Sequence, residues 1–156
     1  MHVHQNILNV ATGKNIFSNE DGTPSEAFMH YIGGLQRYIP AAMVLVAPYV
    51  NSYRRLSRNT AAPINIESGY DNRTVGIRSP ISSPQARRIE NRVIGADANP
   101  YAALAMTLAW LRKESDLHEV LGKEFITVCS EIKALEFDEF MKVISPWKRE
   151  HLLLHV

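Results

Sequence analysis

The stretch Arg88-Ile89-Glu90-Asn91-Arg92 decides the fold, because it predicts a β-strand with one charged and one uncharged face. Side chains alternate between the two faces of a strand, so Arg88, Glu90 and Arg92 share one face and Ile89 lies on the other. The charged face has two explanations at this point. It is either a solvated surface with ion pairs worth about 0–1 kcal/mol each, or part of an anion-binding site.

Arginine is concentrated around this stretch. Eleven arginines occur in the chain, and eight of them lie between residues 53 and 92, a window with no lysine and three acidic residues. Because a guanidinium can donate two parallel hydrogen bonds to a carboxylate or phosphate, this excess favours the anion-binding explanation. The eight residues are Arg54, Arg55, Arg58, Arg73, Arg78, Arg87, Arg88 and Arg92.

Further strands are predicted on both sides of the stretch. Residues 1–10 alternate in the same way, with His2 and His4 on one face. The other predicted strands cover residues 63–67, 74–79 and 87–93. These segments are bounded by glycine and proline, which is typical of short strands in a sheet.

Helices are predicted between and after the strands. Thr23-Pro24-Ser25-Glu26 predicts a helix start with Thr23 as the N-cap, and Pro40 should interrupt that helix. Asn99-Pro100 predicts another start. Helical patterns follow at residues 101–122, 123–144 and 146–154. The fold class expected from this order is α+β, an antiparallel sheet with a polar active-site face backed by helices.

Composition indicates a single cytoplasmic domain. The chain has 156 residues, 46% of them hydrophobic, and a formal net charge of +1. Its longest apolar stretch, residues 39–50, contains two prolines and is shorter than the ~20 residues that span a bilayer. The single cysteine, Cys129, lies among Phe125, Val128, Ile132 and Leu135 in a helical pattern that predicts a small buried residue. We expect no membrane partner.

Five motifs occur in a fixed order along the chain. They are His2-Val3-His4, residues 51–56 (NSYRRL), 72–78 (NRTVGIR) and 86–92 (ARRIENR), and Ala98-Asn99-Pro100-Tyr101. In this order they resemble the C-terminal catalytic region of the glutamine synthetase superfamily. The resemblance is looser after Ala109, where members usually have a longer segment before Trp110. It implies that residues 1–156 are the C-terminal portion of a catalytic domain whose first part and N-terminal β-grasp domain are absent.

The resemblance implies metal and nucleotide sites. His2 and Glu90 match metal ligands, and His4, Arg78 and Arg88 match residues that contact the nucleotide phosphates. The implied cofactors are ATP and Mg²⁺ or Mn²⁺. Two ligands do not complete an octahedral shell, so we expect the chain alone to be inactive.

The resemblance also implies a substrate site and a two-step reaction. Arg55 and Arg92 match arginines that bind glutamate and its acyl phosphate, and Arg73 matches one that stabilises the transferring phosphoryl group. Arg55 and Arg73 are the expected catalytic residues. ATP first phosphorylates the glutamate γ-carboxylate, and an amine or ammonia then displaces phosphate. Members assemble into homo-oligomeric rings with active sites shared between neighbouring subunits.

One departure from the family bears on the nucleophile. Ammonia-using members carry a glutamate immediately before an Ala-Pro pair, whereas this chain has Ala61 before Ala62-Pro63. A carboxylate there would attract ammonium and accept its proton, and alanine does neither. Together with residues 91–101, this substitution makes the chain most similar to the γ-glutamylputrescine synthetase branch, and it predicts an amine bulkier than ammonia.

Three alternatives remain open. Ordinary ammonia-using glutamine synthetase is possible if another residue replaces the missing carboxylate. A non-catalytic homologue would use the fold for assembly alone. Nucleic-acid binding through the arginine face would need interleaved aromatic residues, and the window offers only Tyr53 and Tyr70. We therefore expect glutamate and an amine or ammonia as partners, and no nucleic acid.

Overall fold

The computed structural model describes residues 1–58, 60–111 and 122–143, and divides the chain into two compact units, Met1–Ser115 and Asp116–Val156. The strands are β1 (Val3–Gln5), β2 (Ser68–Tyr70), β3 (Ile77–Ser79) and β4 (Ile89–Asn91). The helices are α1 (Glu26–Tyr38), α2 (Met43–Val46), α3 (Pro100–Leu111) and α4 (Lys123–Lys142), with 3₁₀ helices at Val50–Arg55 and Pro84–Ala86.

The four strands form one sheet in the order β1-β4-β3-β2. Strand β4 pairs antiparallel with both β1 and β3, which sets His4 opposite Glu90 and Glu90 opposite Arg78. The α+β class is confirmed. The sheet differs from the expected antiparallel form in one pairing, since β2 runs parallel to β3.

The strand predicted at residues 63–67 is wrong, and β2 begins only at Ser68. The side chain of Asn65 explains the difference, because its Oδ1 accepts hydrogen bonds from the backbone N–H of Glu67 (3.1 Å) and of Gly76 (3.3 Å). These bonds satisfy backbone donors that a ladder would otherwise pair. The segment before β2 is therefore a loop held by side-chain hydrogen bonds, including one that Gln36 donates to the Ile66 carbonyl at 3.3 Å.

Helix α1 is capped by Ser25, and the predicted Thr23 cap is wrong. Ser25 Oγ accepts a hydrogen bond from the N–H of Phe28 at 3.2 Å. Thr23 instead donates its hydroxyl to Asp21 Oδ1 at 2.6 Å. The predicted interruption at Pro40 is confirmed, since α1 ends at Tyr38 and α2 follows after a short turn.

The core of the first unit lies between the uncharged side of the sheet and the helices. The rings of Phe17 and Phe28 meet edge to face with centroids 5.4 Å apart, and Ile77 and Ile89 are fully buried beneath the sheet. Arg87 is structural, because its guanidinium donates to Ser18 Oγ and to the Gly22 carbonyl, both at 2.9 Å. This packing fixes the uncharged face of β3 and β4, so Arg78 and Glu90 lie on the opposite, charged face.

Helix α4 matches the pattern predicted for residues 123–144 to within two residues. Its apolar positions Phe125, Val128, Ile132 and Leu135 are exposed. The burial predicted for the Cys129 side chain lies outside what the structure describes. Ala109 and Trp110 lie within the continuous helix α3. The patterns predicted at 112–121 and 146–154 lie outside the described residues. Among those described, no helix is both long and apolar enough to cross a membrane.

Gly76 tests the packing of the sheet against the loop that precedes β2. A Cβ at this position would overlap the carbonyl oxygen of Asn65 and lie 3.2 Å from Ile66 Cα, both backbone atoms. We expect Gly76→Ala to lower the free energy of unfolding by about 1–2 kcal/mol, measured by urea denaturation. The matched control is Gly33→Ala in α1, where a Cβ meets nothing within 4 Å. That substitution should stabilise by about 0.5–1 kcal/mol, and equal effects of both changes would contradict the expectation.

Candidate active site

An open cleft of 1180 Å³ lies over the charged side of the sheet. Six of the eight residues predicted for the site line this cleft: His2, Arg55, Arg73, Arg78, Glu90 and Arg92. The rest of the lining comes mainly from the loop that follows the first 3₁₀ helix and from the turn between β2 and β3. The sheet register brings together residues that are up to ninety positions apart in the chain.

Glu90 is the centre of the charged cluster, and its side chain is only 4% exposed. One carboxylate oxygen, Oε1, lies 2.8 Å from His2 Nδ1 and accepts a hydrogen bond from Arg92 at 3.3 Å. The other, Oε2, accepts a hydrogen bond from Arg78 at 2.8 Å. His4 Nε2 lies farther away, 3.9 Å from Oε1.

These contacts fix the protonation states of the carboxylate and the nearest imidazole. Burial acts to raise the pKa of Glu90, but the hydrogen bond from Arg78 and the charge of Arg92 outweigh it, so the pKa is lowered. Burial and the positive charge of Arg92 lower the pKa of His2, and the charge of Glu90 opposes them. At neutral pH the pair is a carboxylate beside a neutral imidazole.

A carboxylate and a neutral imidazole whose atoms lie 2.8 Å apart can both act as ligands of one divalent cation. His2 and Glu90 therefore fit part of a metal shell. Within residues 1–58, 60–111 and 122–143, no group of three His, Cys, Asp or Glu side chains is placed to hold a metal. The other ligands of a bound cation would have to be water, substrate oxygens or groups outside these ranges.

Arg78 is held from two sides, by Glu90 and by Asp71, which both accept hydrogen bonds from its guanidinium. These bonds raise the pKa of Arg78. Asp71 adopts a positive φ of 46° in the turn after β2, a conformation that aspartate tolerates better than most residues. One signal for Asp71 was visible before the structure, since it is one of only three acids in the arginine window.

Arg55 is the last residue of the 3₁₀ helix Val50–Arg55. Its guanidinium donates to the carbonyl oxygens of Val93 and, at 3.5 Å, of Arg92. Burial lowers the pKa of Arg55, and the nearby charge of Asp97 opposes that change. Arg55 is thus anchored to the backbone just beyond β4.

Several N–H donors in the cleft have no acceptor. The buried Nε atoms of Arg55, Arg78 and Arg92 have no hydrogen-bond partner among the described residues. Buried donors are rarely left without an acceptor unless a ligand, ion or water supplies one. Within the same residues, the guanidinium of Arg73 forms no ion pair or hydrogen bond, although it lines the cleft. The arrangement is that of an anion site with a carboxylate at its centre.

Comparison with known proteins identifies the family. The model for the glutamine synthetase catalytic domain matches residues 1–112. This chain belongs to the glutamine synthetase catalytic-domain family. The matched range includes the whole cleft, and the match ends where the described part of α3 ends, so the assignment of the remaining residues to the same domain stays a prediction.

Several curated relatives share about two fifths of the aligned residues. The chain is 38% identical over 109 residues to the gamma-glutamylputrescine synthetase of Escherichia coli, which covers 70% of this chain. It is 42% identical over 105 residues to the glutamine synthetase of Thermococcus kodakarensis and 40% identical over 111 residues to that of a Nostoc species. The alignment spans 23% of each of these three relatives.

Two residues predicted for the family's nucleotide site lie outside the cleft lining. His4 faces Glu90 across the sheet, on the adjacent strand β1. Arg88 precedes β4 and donates to the carbonyl oxygen of Ala86 at 3.3 Å, with no ion pair among the described residues. The alternation along the strand predicted that Arg88 shares the charged face with Arg92. In the structure the cleft includes Arg92 but not Arg88.

Proposed function

We propose that this chain supplies the arginine-rich half of an ATP-dependent ligase centre, which activates the γ-carboxylate of glutamate and joins it to an amine. The observation that carries the proposal is the convergence of five arginines on one cleft, with three buried Nε–H donors that have no partner among the described residues. Such donors suit the carboxylate and phosphate oxygens of glutamate, ATP and an acyl phosphate. The names of the relatives, glutamine synthetase and gamma-glutamylputrescine synthetase, support the same reaction class.

The arginines divide the work of binding and charge stabilisation. Arg55 and Arg92, anchored at the end of β4, bind the carboxylate groups of glutamate. Arg73, whose charge is not neutralised by a described residue, stabilises the phosphoryl group as it moves from ATP to the γ-carboxylate oxygen. Arg78 and Arg88, with His4, contact the nucleotide phosphates. The amine then attacks the acyl carbon and phosphate leaves.

His2 and Glu90 hold the metal in this proposal. A bound Mg²⁺ or Mn²⁺ would neutralise phosphate oxygens, and the lowered pKa of Glu90 keeps the carboxylate available as its ligand. Arg78 and Arg92 keep Glu90 oriented, since each donates to one of its oxygens. Because two ligands leave the shell incomplete, we infer that the isolated chain does not turn over ATP and that the active form is a larger homo-oligomeric ring.

The amine in this proposal is larger than ammonia. Ala61 lies on the cleft wall with its side chain exposed, and its carbonyl oxygen accepts a hydrogen bond from Arg92 at 3.0 Å. No acidic residue occurs between Ser57 and Pro63, so this loop offers no base for ammonium. The similarity to glutamine synthetases keeps ammonia as the second candidate nucleophile.

Phosphate release tests the proposal. The complete product of the reading frame that contains this chain, and the 156-residue chain alone, are supplied with ATP, glutamate and Mg²⁺. We expect release by the complete product to rise with primary amines more than with ammonium, and to be absent for the chain alone. A clear preference for ammonium would establish the second candidate, and no release with any nucleophile would refute the ligase.

Ala61 gives a direct test of the nucleophile. Ala61→Glu places a carboxylate beside Arg92 on the cleft wall, where it can attract ammonium and accept a proton. We expect the ratio of ammonium-dependent to amine-dependent phosphate release by the complete product to increase about a hundredfold, the low end of what a positioned base contributes. Ala61→Gln is the control of equal size and should leave the ratio unchanged. Equal changes with both variants would show that side-chain volume, not charge, sets the preference.

A further inference from the structure

A second cavity opens beside the cleft and has a different chemical character. Its volume is 220 Å³. It lies between the end of α1, the start of α2, the loop before β2 and the residue pair that follows β4. Its lining residues are Ile39, Pro40, Met43, Leu56, Pro63, Ile64, Asn65, Ile66 and Val93.

The lining offers apolar contacts and no charge. Ile39 is fully buried and Val93 is 4% exposed, so the inner wall belongs to the apolar core. Asn65 is the only polar side chain of the lining, and its Oδ1 is occupied by the backbone N–H groups of Glu67 and Gly76. A group placed in this cavity must therefore be apolar, because a charge there would be buried without a partner.

The cavity adjoins the charged cleft at two residues. Ile64, which is 55% exposed, lines both. The side chain of Val93 forms the wall of the cavity, while its carbonyl oxygen accepts a hydrogen bond from Arg55 in the cleft. A molecule whose reactive end lies near Arg55 can thus extend its other end past Ile64 into the cavity.

We propose that this cavity binds the hydrocarbon tail of the nucleophile, so that the amine is a primary monoamine with an alkyl chain of about four to six carbons. The inference rests on the proposed function and narrows it. A volume of 220 Å³ is about seven times the ~30 Å³ that one water molecule occupies in the liquid, which suits a chain of this length. A diamine is disfavoured, since its second ammonium would enter a cavity without a carboxylate.

Binding to the 156-residue chain is measured by NMR, with the methyl signals of Ile39, Met43 and Ile64 as reporters. The probes are hexylamine, butylamine and hexane-1,6-diamine; the last matches hexylamine in length and adds only a second ammonium. We expect saturable shifts with hexylamine and no saturation with the diamine. Butylamine has two methylenes fewer, and at about fourfold in affinity per methylene it should bind about 15-fold more weakly than hexylamine. Ile81, 79% exposed and outside both cavities, should not shift.

Ile64→Asp provides the matched variant. It places a carboxylate at the mouth of the cavity on a side chain that is more than half exposed, so folding should be retained. We expect it to weaken hexylamine binding about tenfold and to create measurable binding of the diamine. The control, Ile81→Asp, introduces the same charge at an exposed isoleucine far from the lining and should change neither.

The outcomes separate this inference from the ligase proposal. The complete product could release phosphate with amines while hexylamine causes no shifts, or while the diamine causes equal shifts. Either result would overturn the binding of an alkyl tail in the cavity and leave the ligase proposal standing. Saturable hexylamine binding that Ile64→Asp weakens and Ile81→Asp does not would support the subsite. Absence of phosphate release with every amine would overturn the ligase, whatever the binding result.

Discussion

Replacing Glu90 with alanine is expected to lower the free energy of unfolding of the chain by about 3 kcal/mol or more. The side chain is 4% exposed and is bound by His2, Arg78 and Arg92. Removing one member of a buried ionic cluster leaves the others without compensation, which typically costs about 3–5 kcal/mol. Asp71 still neutralises part of the charge of Arg78, so the loss should lie near the lower end. Urea denaturation monitored by circular dichroism measures the change.

The control for this variant is Glu67→Ala. Glu67 lies in the same arginine window, but its side chain is exposed and makes no ion pair with a described residue. Its replacement should change stability by less than about 0.5 kcal/mol, as is usual for surface sites. Similar losses for both variants would show that Glu90 is not the centre of a buried cluster.

The sheet and its charged face were largely predictable from the sequence. The alternation of side chains placed His2 and His4 on one face of the first predicted strand, and Glu90 and Arg92 on one face of the last. In the structure these two faces meet, so that His2, His4 and Arg92 lie around the carboxylate of Glu90. The prediction succeeded because β3 and β4 each have an uncharged side that packs on the core, which fixes their orientation. Ile77 and Ile89, both fully buried, provide that anchor.

The loops were predicted less well, because side-chain hydrogen bonds decide their shape. Asn65 shifts the start of β2 by binding two backbone N–H groups, and a periodicity argument does not detect such a bond. Asp71 reaches Arg78 only through a turn with positive φ. Neither the alkyl-lined cavity nor the anchoring of Arg55 could be predicted, since both depend on which loop carbonyls and side chains meet in three dimensions.

Arg88 and Arg92 show the limit of the strand pattern most clearly. Both should lie on the face that carries Glu90, two residues to either side of it. Only Arg92 is buried, where it donates to Glu90 at 3.3 Å and to the Ala61 carbonyl at 3.0 Å. Among the described residues Arg88 bonds only to the neighbouring Ala86 carbonyl, because the chain enters β4 from the 3₁₀ helix Pro84–Ala86. Burial, and not the alternation, separates the two arginines.

Arg92→Met should therefore destabilise the chain by about 2–3 kcal/mol, and Arg88→Met by less than about 1 kcal/mol. The first variant loses one hydrogen bond to a charged group, worth about 1.5–3 kcal/mol, and one to a neutral carbonyl, worth about 1 kcal/mol. The second loses a single bond to a local carbonyl. Both replacements keep an unbranched apolar stem, so urea denaturation compares the lost polar contacts directly. Equal losses would contradict the difference in burial.

A double-mutant cycle decides whether Arg92 stabilises the fold through its ion pair with Glu90 or through its hydrogen bond to the Ala61 carbonyl. If the ion pair carries most of the effect, Glu90→Gln and Arg92→Met together should cost at least 1 kcal/mol less than the sum of the single losses. If the bond to Ala61 dominates, the two losses should add to within about 0.5 kcal/mol. The same cycle with Arg88→Met in place of Arg92→Met should be additive, since Arg88 has no contact with Glu90 among the described residues. A coupled Arg92 would mean that the carboxylate orients the arginine assigned to glutamate binding, so metal and substrate sites would share one buried cluster.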